Sequence, residues 1–255
     1  MKIVEINNWI VKINLEDDKL HDIPNDIIDK YIGIIIDNHQ IKYDDYVNYA
    51  LSFGNFLDYN GGPVYSFDGS SAEPVEYHTD GVSSPDINKV PKYVLFYVER
   101  WPVNDGAFSL CNIEILFSKL DKYIQNIFRN EKLEFYNYYP DQYNSSEDLF
   151  SFSIDPLRII DGNEYLRLFV PIEDSLLDQV KWKYKMKFSN KSFEESKKIL
   201  VRLRDLSRSE DCQIDIQFKK NDILIIHNNK VFHKRHEFKN VDKNRILHRI
   251  QILDN

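Results

Sequence analysis

Seven histidines occur in the sequence, at positions 21, 39, 78, 227, 233, 236 and 248. Context singles out two of them. His78-Thr79-Asp80 lies in a polar stretch just ahead of an apolar one. Residues i and i+2 of an extended backbone point to the same side, so this imidazole and this carboxylate can converge on one point. They supply two of the three ligands of a two-histidine, one-carboxylate facial triad, the donor set of non-haem iron(II) oxygenases. The fold must bring the third. The segment ILIIHNNKVFHKRHEF offers it. Its apolar strand ends in His227-Asn228-Asn229, and period 2 then puts Val231 and His233 on one side and Phe232 on the other. His233 would face inward, across a barrel from the His-x-Asp, while His236 falls out of phase. The competing reading is a charged edge strand, with Lys230, Lys234 and Arg235 around the histidine. A zinc hydrolase would use the same residue types, as three protein ligands plus a water.

A third element is RILHRIQI, in which Arg245 and Arg249 are spaced to share one face of a strand. Arginine holds a carboxylate through a two-pronged hydrogen bond. A buried arginine beside a metal is therefore an anchor for a dicarboxylate; without the histidines, the pair reads as two surface arginines. Composition narrows the partners. Lys and Arg total 33 against 41 Asp and Glu, a net charge of −8, which argues against binding a polyphosphate backbone. Cys111 and Cys212 form no disulfide framework and suit a reducing, cytoplasmic setting. The start of the sequence lacks a signal-peptide pattern, and Ile32 to Ile36 is too short to cross a bilayer. Asn144-Ser145-Ser146 and Asn190-Lys191-Ser192 are formal glycosylation triplets that carry little meaning without secretion.

The elements that must position these residues are mostly strands. The sequence holds 16 Tyr, 16 Phe and 3 Trp, which favour pleated surfaces. Strands are expected within residues 2–14 and at 33–37, 93–98, 133–139, 149–154, 164–172, 213–218, 222–227, 230–236 and 245–252. Short helices are expected at 26–31 and 44–53. Asn112 caps an apolar series running through Ile113, Leu116, Leu120, Tyr123, Ile124 and Ile127. Ser192 and Glu195 form a capping box ahead of Ile199, Leu200, Leu203 and Leu206. Residues 55–92 read as loops around short strands. With no repeat, low-complexity tract or linker, the expectation is one domain over residues 1–255, its N-terminal part (about 1–60) packed on a β-rich core.

These segments, in this order, resemble the taurine dioxygenase (TauD/TfdA) family of Fe(II)- and 2-oxoglutarate-dependent oxygenases. EYHTDGVSSPD resembles the family's His-x-Asp segment, NDILIIHNNKVFHKRHEF the segment with the distal histidine, and RILHRIQI the closing strand with its two arginines. DKYIGIIIDN with YDDYVNYALSFGNFLDY, and DGAFSLCNIEILFSKL, extend the likeness to roughly residues 25–253. The resemblance implies a mainly β fold with added helices, whose core is a double-stranded β-helix (a cupin-like jelly roll) with helices packed on one sheet. It implies His78, Asp80 and His233 as iron ligands and Arg245 as the anchor of the distal carboxylate of 2-oxoglutarate. Arg249 would lie near the proximal carboxylate or a substrate anion. Tyr65, Tyr77, Glu76 and Gly81 flank the expected substrate mouth, and Tyr77 can equally be packing. His227 stands where the family has an aspartate, and His227 and Asn229 would support the ligands rather than join them.

Two departures bear on function. The family threonine that helps hold 2-oxoglutarate falls at Phe108, leaving Ser109 as the nearby hydroxyl and a candidate replacement. Asp80 is present rather than Gly or Ala, which argues against a halogenase. The expected activity is that of an oxidoreductase: a dioxygenase that consumes O2 and 2-oxoglutarate and hydroxylates or desaturates a small molecule, an amino acid or derived metabolite. A catalytically silent jelly-roll module binding a small carboxylate or a protein is the alternative. No nucleic acid or membrane is expected as partner; a homo-oligomer remains open.

Overall fold

Four aliphatic residues in succession, Ile223 to Ile226, are all buried, and this run forms the centre of the larger sheet. A strand covered on both faces needs no polar alternation. The computed structural model describes residues 1–16, 19–37, 40–58, 61–68, 74–84, 86–102, 106–137, 149–160, 162–171, 184–237 and 245–253. His39, the Asn144 triplet and much of the 140–190 region lie outside the described residues.

In chain order the strands are β1 (Lys2–Glu5), β2 (Ile10–Asn14), β3 (Gly33–Asp37), β4 (Val64–Asp68), β5 (Val75–His78), β6 (Pro91–Arg100), β7 (Phe108–Asn112) and β8 (Leu133–Asn137). They continue as β9 (Leu149–Ile154), β10 (Leu157–Ile160), β11 (Asn163–Leu166), β12 (Tyr184–Phe188), β13 (Gln213–Ile216), β14 (Ile223–His227), β15 (Val231–Arg235) and β16 (Ile246–Leu253). The larger sheet has seven strands in the order β1-β2-β3-β14-β6-β16-β4; the smaller has four, β13-β7-β15-β5. Only β2 and β3 pair in parallel within these two sheets. The sheets face each other through an apolar interior in which Phe96 of β6 meets Phe108 of β7 and His233 of β15, at ring-centroid distances of 5.3 and 5.7 Å. This is the expected jelly roll. Gly33 sits at a tight point of it: a Cβ there would come within 3.1 Å of Ile10 and 3.2 Å of Leu110.

Helices cover both sheets rather than one. The helices α1 (Asn25–Lys30) and α2 (Tyr43–Leu51) share a core with the outer face of the larger sheet, where the buried Tyr46 hydroxyl donates to the Leu95 carbonyl at 2.9 Å. The helices α3 (Ile113–Ser118), α4 (Lys122–Asn130) and α5 (Phe193–Ser207) pack with Tyr77, Cys111 and Phe232 on the outer face of the smaller sheet. Each sheet therefore has an apolar outer face that one layer of helices buries. The apolar series behind Asn112 forms two helices, not one. Asn112 caps the first, accepting from the Glu114 and Ile115 amides, and Asp121 starts the second by accepting from the Ile124 amide at 2.9 Å. This restart turns Tyr123 out to 65% exposure. Among the described residues, no helix is long and apolar enough to cross a membrane.

Candidate metal centre

Strand pairing brings the first two imidazoles together. His78 ends β5 and lies directly opposite His233 in the middle of β15, with ring centroids 4.2 Å apart. Asp80 follows two residues after His78. One donor atom from each of His78, Asp80 and His233 falls within 4.8 Å of the others. Both Nε2 atoms stand 3.7 Å from Asp80 Oδ1. His78 Nδ1 is 2.8 Å from the Glu76 carbonyl and donates to it, which leaves Nε2 with its lone pair toward the centre. Burial, above all, lowers the pKa of His78, and burial followed by the neighbouring His78 pushes His233 down to about 3. Both rings are thus neutral near pH 7, the state a metal needs. Phe169 stacks on His78 at 5.7 Å and Phe108 on His233 at 5.9 Å, which limits how far either ring can turn.

Asp80 is supported from several sides. Arg249 Nη1 donates to its two oxygens at 3.0 and 3.1 Å, and the Gln251 amide donates to Oδ2. Burial opposes the charge, but Arg249, His233, His78 and Gln251 outweigh it and hold the carboxyl at about 2. The Asp80 backbone is clamped by Asn228, which is fully buried. Asn228 Oδ1 accepts the Asp80 amide at 2.8 Å, and Nδ2 donates to the Asp80 and Pro91 carbonyls at 3.1 and 2.9 Å. The turn that follows is pinned by Arg167, whose Nη2 donates to the carbonyls of Gly81, Val82 and Ser84. Gly81 has φ +80°, and a Cβ there would approach the Val90 backbone to 3.2 Å, so its glycine is a backbone requirement of this turn.

The other expected residues divide. Arg249 and Gln251 alternate with Ile250 and Ile252, which belong to the outer core, so the two polar residues face the interior. Arg245, just ahead of the same strand, is buried. Tyr65 pairs with Arg249 across β4 and β16, and the guanidinium lies 5.4 Å from its ring and 5.1 Å from that of Phe67. Ser109 goes the other way. Leu110 is the β7 residue paired with His233, so Ser109 occupies the opposite face, its hydroxyl bonded to Asp215 and His236. Tyr77 also points away: it is buried among the outer helices with its hydroxyl on Gln213 at 2.7 Å, so packing is the reading that fits. His227 shares the outer face with Ile223 and Ile225, its ring near Tyr93 and Tyr165. Asn229 lies in the turn after β14, where its neighbour Asn228 holds Asp80. Asn228, Gln251, Phe169 and Arg167 went unpredicted. Only Gln251 left a local signal, two residues past Arg249 on the same face.

The chain matches the family described as Taurine catabolism dioxygenase TauD, TfdA family over residues 13–251. No curated protein sequence matches it significantly. Among solved structures, PvcB from Pseudomonas aeruginosa superposes with a TM-score of 0.71 at 15% identity, covering 96% of this chain and 86% of PvcB. AAD-2, crystallised with Mn(II) and N-oxalylglycine, gives 0.72 at 14%, covering 100% of this chain and 98% of that one. A taurine dioxygenase from Burkholderia xenovorans gives 0.68 at 13%, covering 100% and 91%. These likenesses agree on the jelly roll. With a family match over nearly the whole length, the chain belongs to the TauD/TfdA family of dioxygenases.

Proposed function

We propose that this protein uses Fe(II), 2-oxoglutarate and O2 to oxidise a small molecule, an amino acid or a derived metabolite, by hydroxylation or desaturation. The observation that carries the reading is the buried His78, Asp80, His233 cluster, two neutral imidazoles and one ionised carboxylate around one point. Nitrogen and oxygen donors in this ratio fit iron(II), and three protein ligands leave positions for cosubstrate and oxygen. PvcB, named as an Fe, alpha-ketoglutarate dependent oxygenase, and AAD-2 with its Mn(II) and N-oxalylglycine support the same cofactors. Held by His78, Asp80 and His233, iron would supply the chemistry that couples oxidative decarboxylation of 2-oxoglutarate, to succinate and CO2, to oxidation of the substrate, with the second oxygen atom of O2 entering a hydroxylated product or leaving as water in a desaturation.

The chain's own residues then have distinct tasks. Arg245 is the anchor for the distal carboxylate of 2-oxoglutarate. Arg249 keeps Asp80 ionised and, with Tyr65 against its face, borders the substrate mouth. Phe96 and Phe108 exclude water on the side of His233. The whole chain acts as one oxygenase domain, supported by the N-terminal β2 and β3 being strands of the same sheet as β14 and β16.

The test is a visible spectrum of the protein with Fe(II) and 2-oxoglutarate without oxygen. A weak charge-transfer band in wild type, absent in His78→Ala and Arg245→Ala, supports the reading. Absence of both band and cosubstrate binding sinks it. That second outcome favours a silent carboxylate-binding module, a reading Phe108 supports because its ring, not a hydroxyl, faces His233. Succinate formed only with iron, oxygen and 2-oxoglutarate together excludes the silent module.

A further inference from the structure

The strand that presents His78 is irregular. His78 pairs with His233 and Val75 with Arg235, so Glu76 and Tyr77 on β5 together oppose Lys234 on β15. This is a β-bulge, two residues against one. On the face of the sheet away from the metal centre, the Glu76 carboxylate fills the bulge. Its side chain is 7% exposed. One oxygen lies 3.1 Å from Lys234 Nζ and accepts the Tyr77 amide at 3.1 Å; the other lies 2.7 Å from Arg208 Nη2, at the C-terminal end of α5. Lys234 in turn sits over the Tyr77 ring at 5.5 Å. The carbonyl of the same Glu76 accepts the His78 Nδ1 hydrogen. One residue therefore touches the first histidine through its backbone and the strand of the second through its side chain.

We propose that Glu76 is a positioning residue of the metal centre: its carboxylate, held between Lys234 and Arg208, fixes the bulge from which His78 is presented and so sets the separation of the two histidine ligands. The inference rests on the metal-centre reading above. Cohesion alone does not call for this arrangement, since apolar residues of similar volume hold buried sites together as well as an ion pair does. What the ion pair adds is register. A strand that slips by one residue against its neighbour turns every side chain to the opposite face. At β5 such a slip would carry His78 away from His233.

Cobalt(II) titration of the full-length protein, followed by its visible absorption, tests the proposal, because band intensity and position report the ligand geometry. Glu76→Gln is expected to weaken cobalt binding about 10–100-fold, as loss of a group that orients a metal ligand does, and to change the spectrum. Lys234→Met, which leaves the Glu76–Arg208 contact in place, is expected to give a smaller loss with a spectral change of the same kind. Asp121→Ala, which removes the α4 cap far from the centre, provides a variant of lowered melting temperature with wild-type affinity and spectrum. A folded Glu76→Gln with wild-type affinity and spectrum overturns the proposal. Should Glu76→Gln fail to fold, unchanged binding by Lys234→Met overturns it equally, and weakened binding supports it. If wild type binds no cobalt, the metal-centre reading itself has failed and takes this inference with it.

Discussion

Arg249→Met is the perturbation that most directly separates support of a ligand from contact with substrate. In the metal-free protein Arg249 donates hydrogen bonds to both oxygens of the Asp80 carboxylate, at 3.0 and 3.1 Å. Asp80 is held at about 2 against an ordinary value of 3.8, even though burial by itself opposes the charge. Methionine keeps the volume but leaves that buried carboxylate without its cation, a change that typically costs about 3–5 kcal/mol. At ~2–4 °C per kcal/mol for a chain of this size, the melting temperature of metal-free protein falls by about 10 °C. Cobalt(II) narrows the gap, because a divalent ion beside Asp80 supplies the missing positive charge. The assay is calorimetry of both proteins with chelator and then with cobalt. A metal-free variant melting within a degree of wild type would refute the argument that Arg249 carries the charge of Asp80.

Further expectations follow from other residues. Asp222 is buried and its carboxyl is raised from 3.8 to about 6, by burial first and the nearby Asp37 charge as well. A raised carboxyl contributes stability below its unfolded value, near pH 4, and loses it as pH rises through 6. Asp222→Asn should therefore gain about 2–3 kcal/mol at pH 7.5, and the gain should vanish in urea melts at pH 4. Ser109→Ala should leave 2-oxoglutarate affinity within twofold of wild type, because its hydroxyl lies on the far face of β7, while Arg245→Met should weaken it by about 10–100-fold, the worth of a charge-assisted hydrogen bond; calorimetry that found the order reversed would restore Ser109 to the site. Asn228→Ala strips the Asp80 backbone of two hydrogen bonds and should lower stability by about 2–3 kcal/mol. Cobalt affinity should fall with it, and a variant that keeps wild-type affinity would show that Asp80 needs no clamp.

What the sequence determined on its own is local. The two-residue spacing puts His78 and Asp80 within reach of one point, and the four-residue spacing puts Arg245 and Arg249 on one face, because side-chain direction in an extended chain depends only on neighbouring residues. The same holds for the continuous apolar run of β14 and the capping box of α5. What tertiary structure decided is register. Ser109 and Phe108 are adjacent, and which of them faces the His233 ring follows from Leu110, not Ser109, pairing with His233. Asn228 rather than Asn229 holds Asp80 because the turn after β14 presents the first of them to a loop that is remote in sequence. Glu76 meets Lys234 because β5 carries one extra residue against β15. Pairing between distant strands is a property of the whole sheet, and a shift of one residue exchanges its two faces. Alternation along a strand shows which residues lie together, and only the neighbouring strand shows which of them look inward.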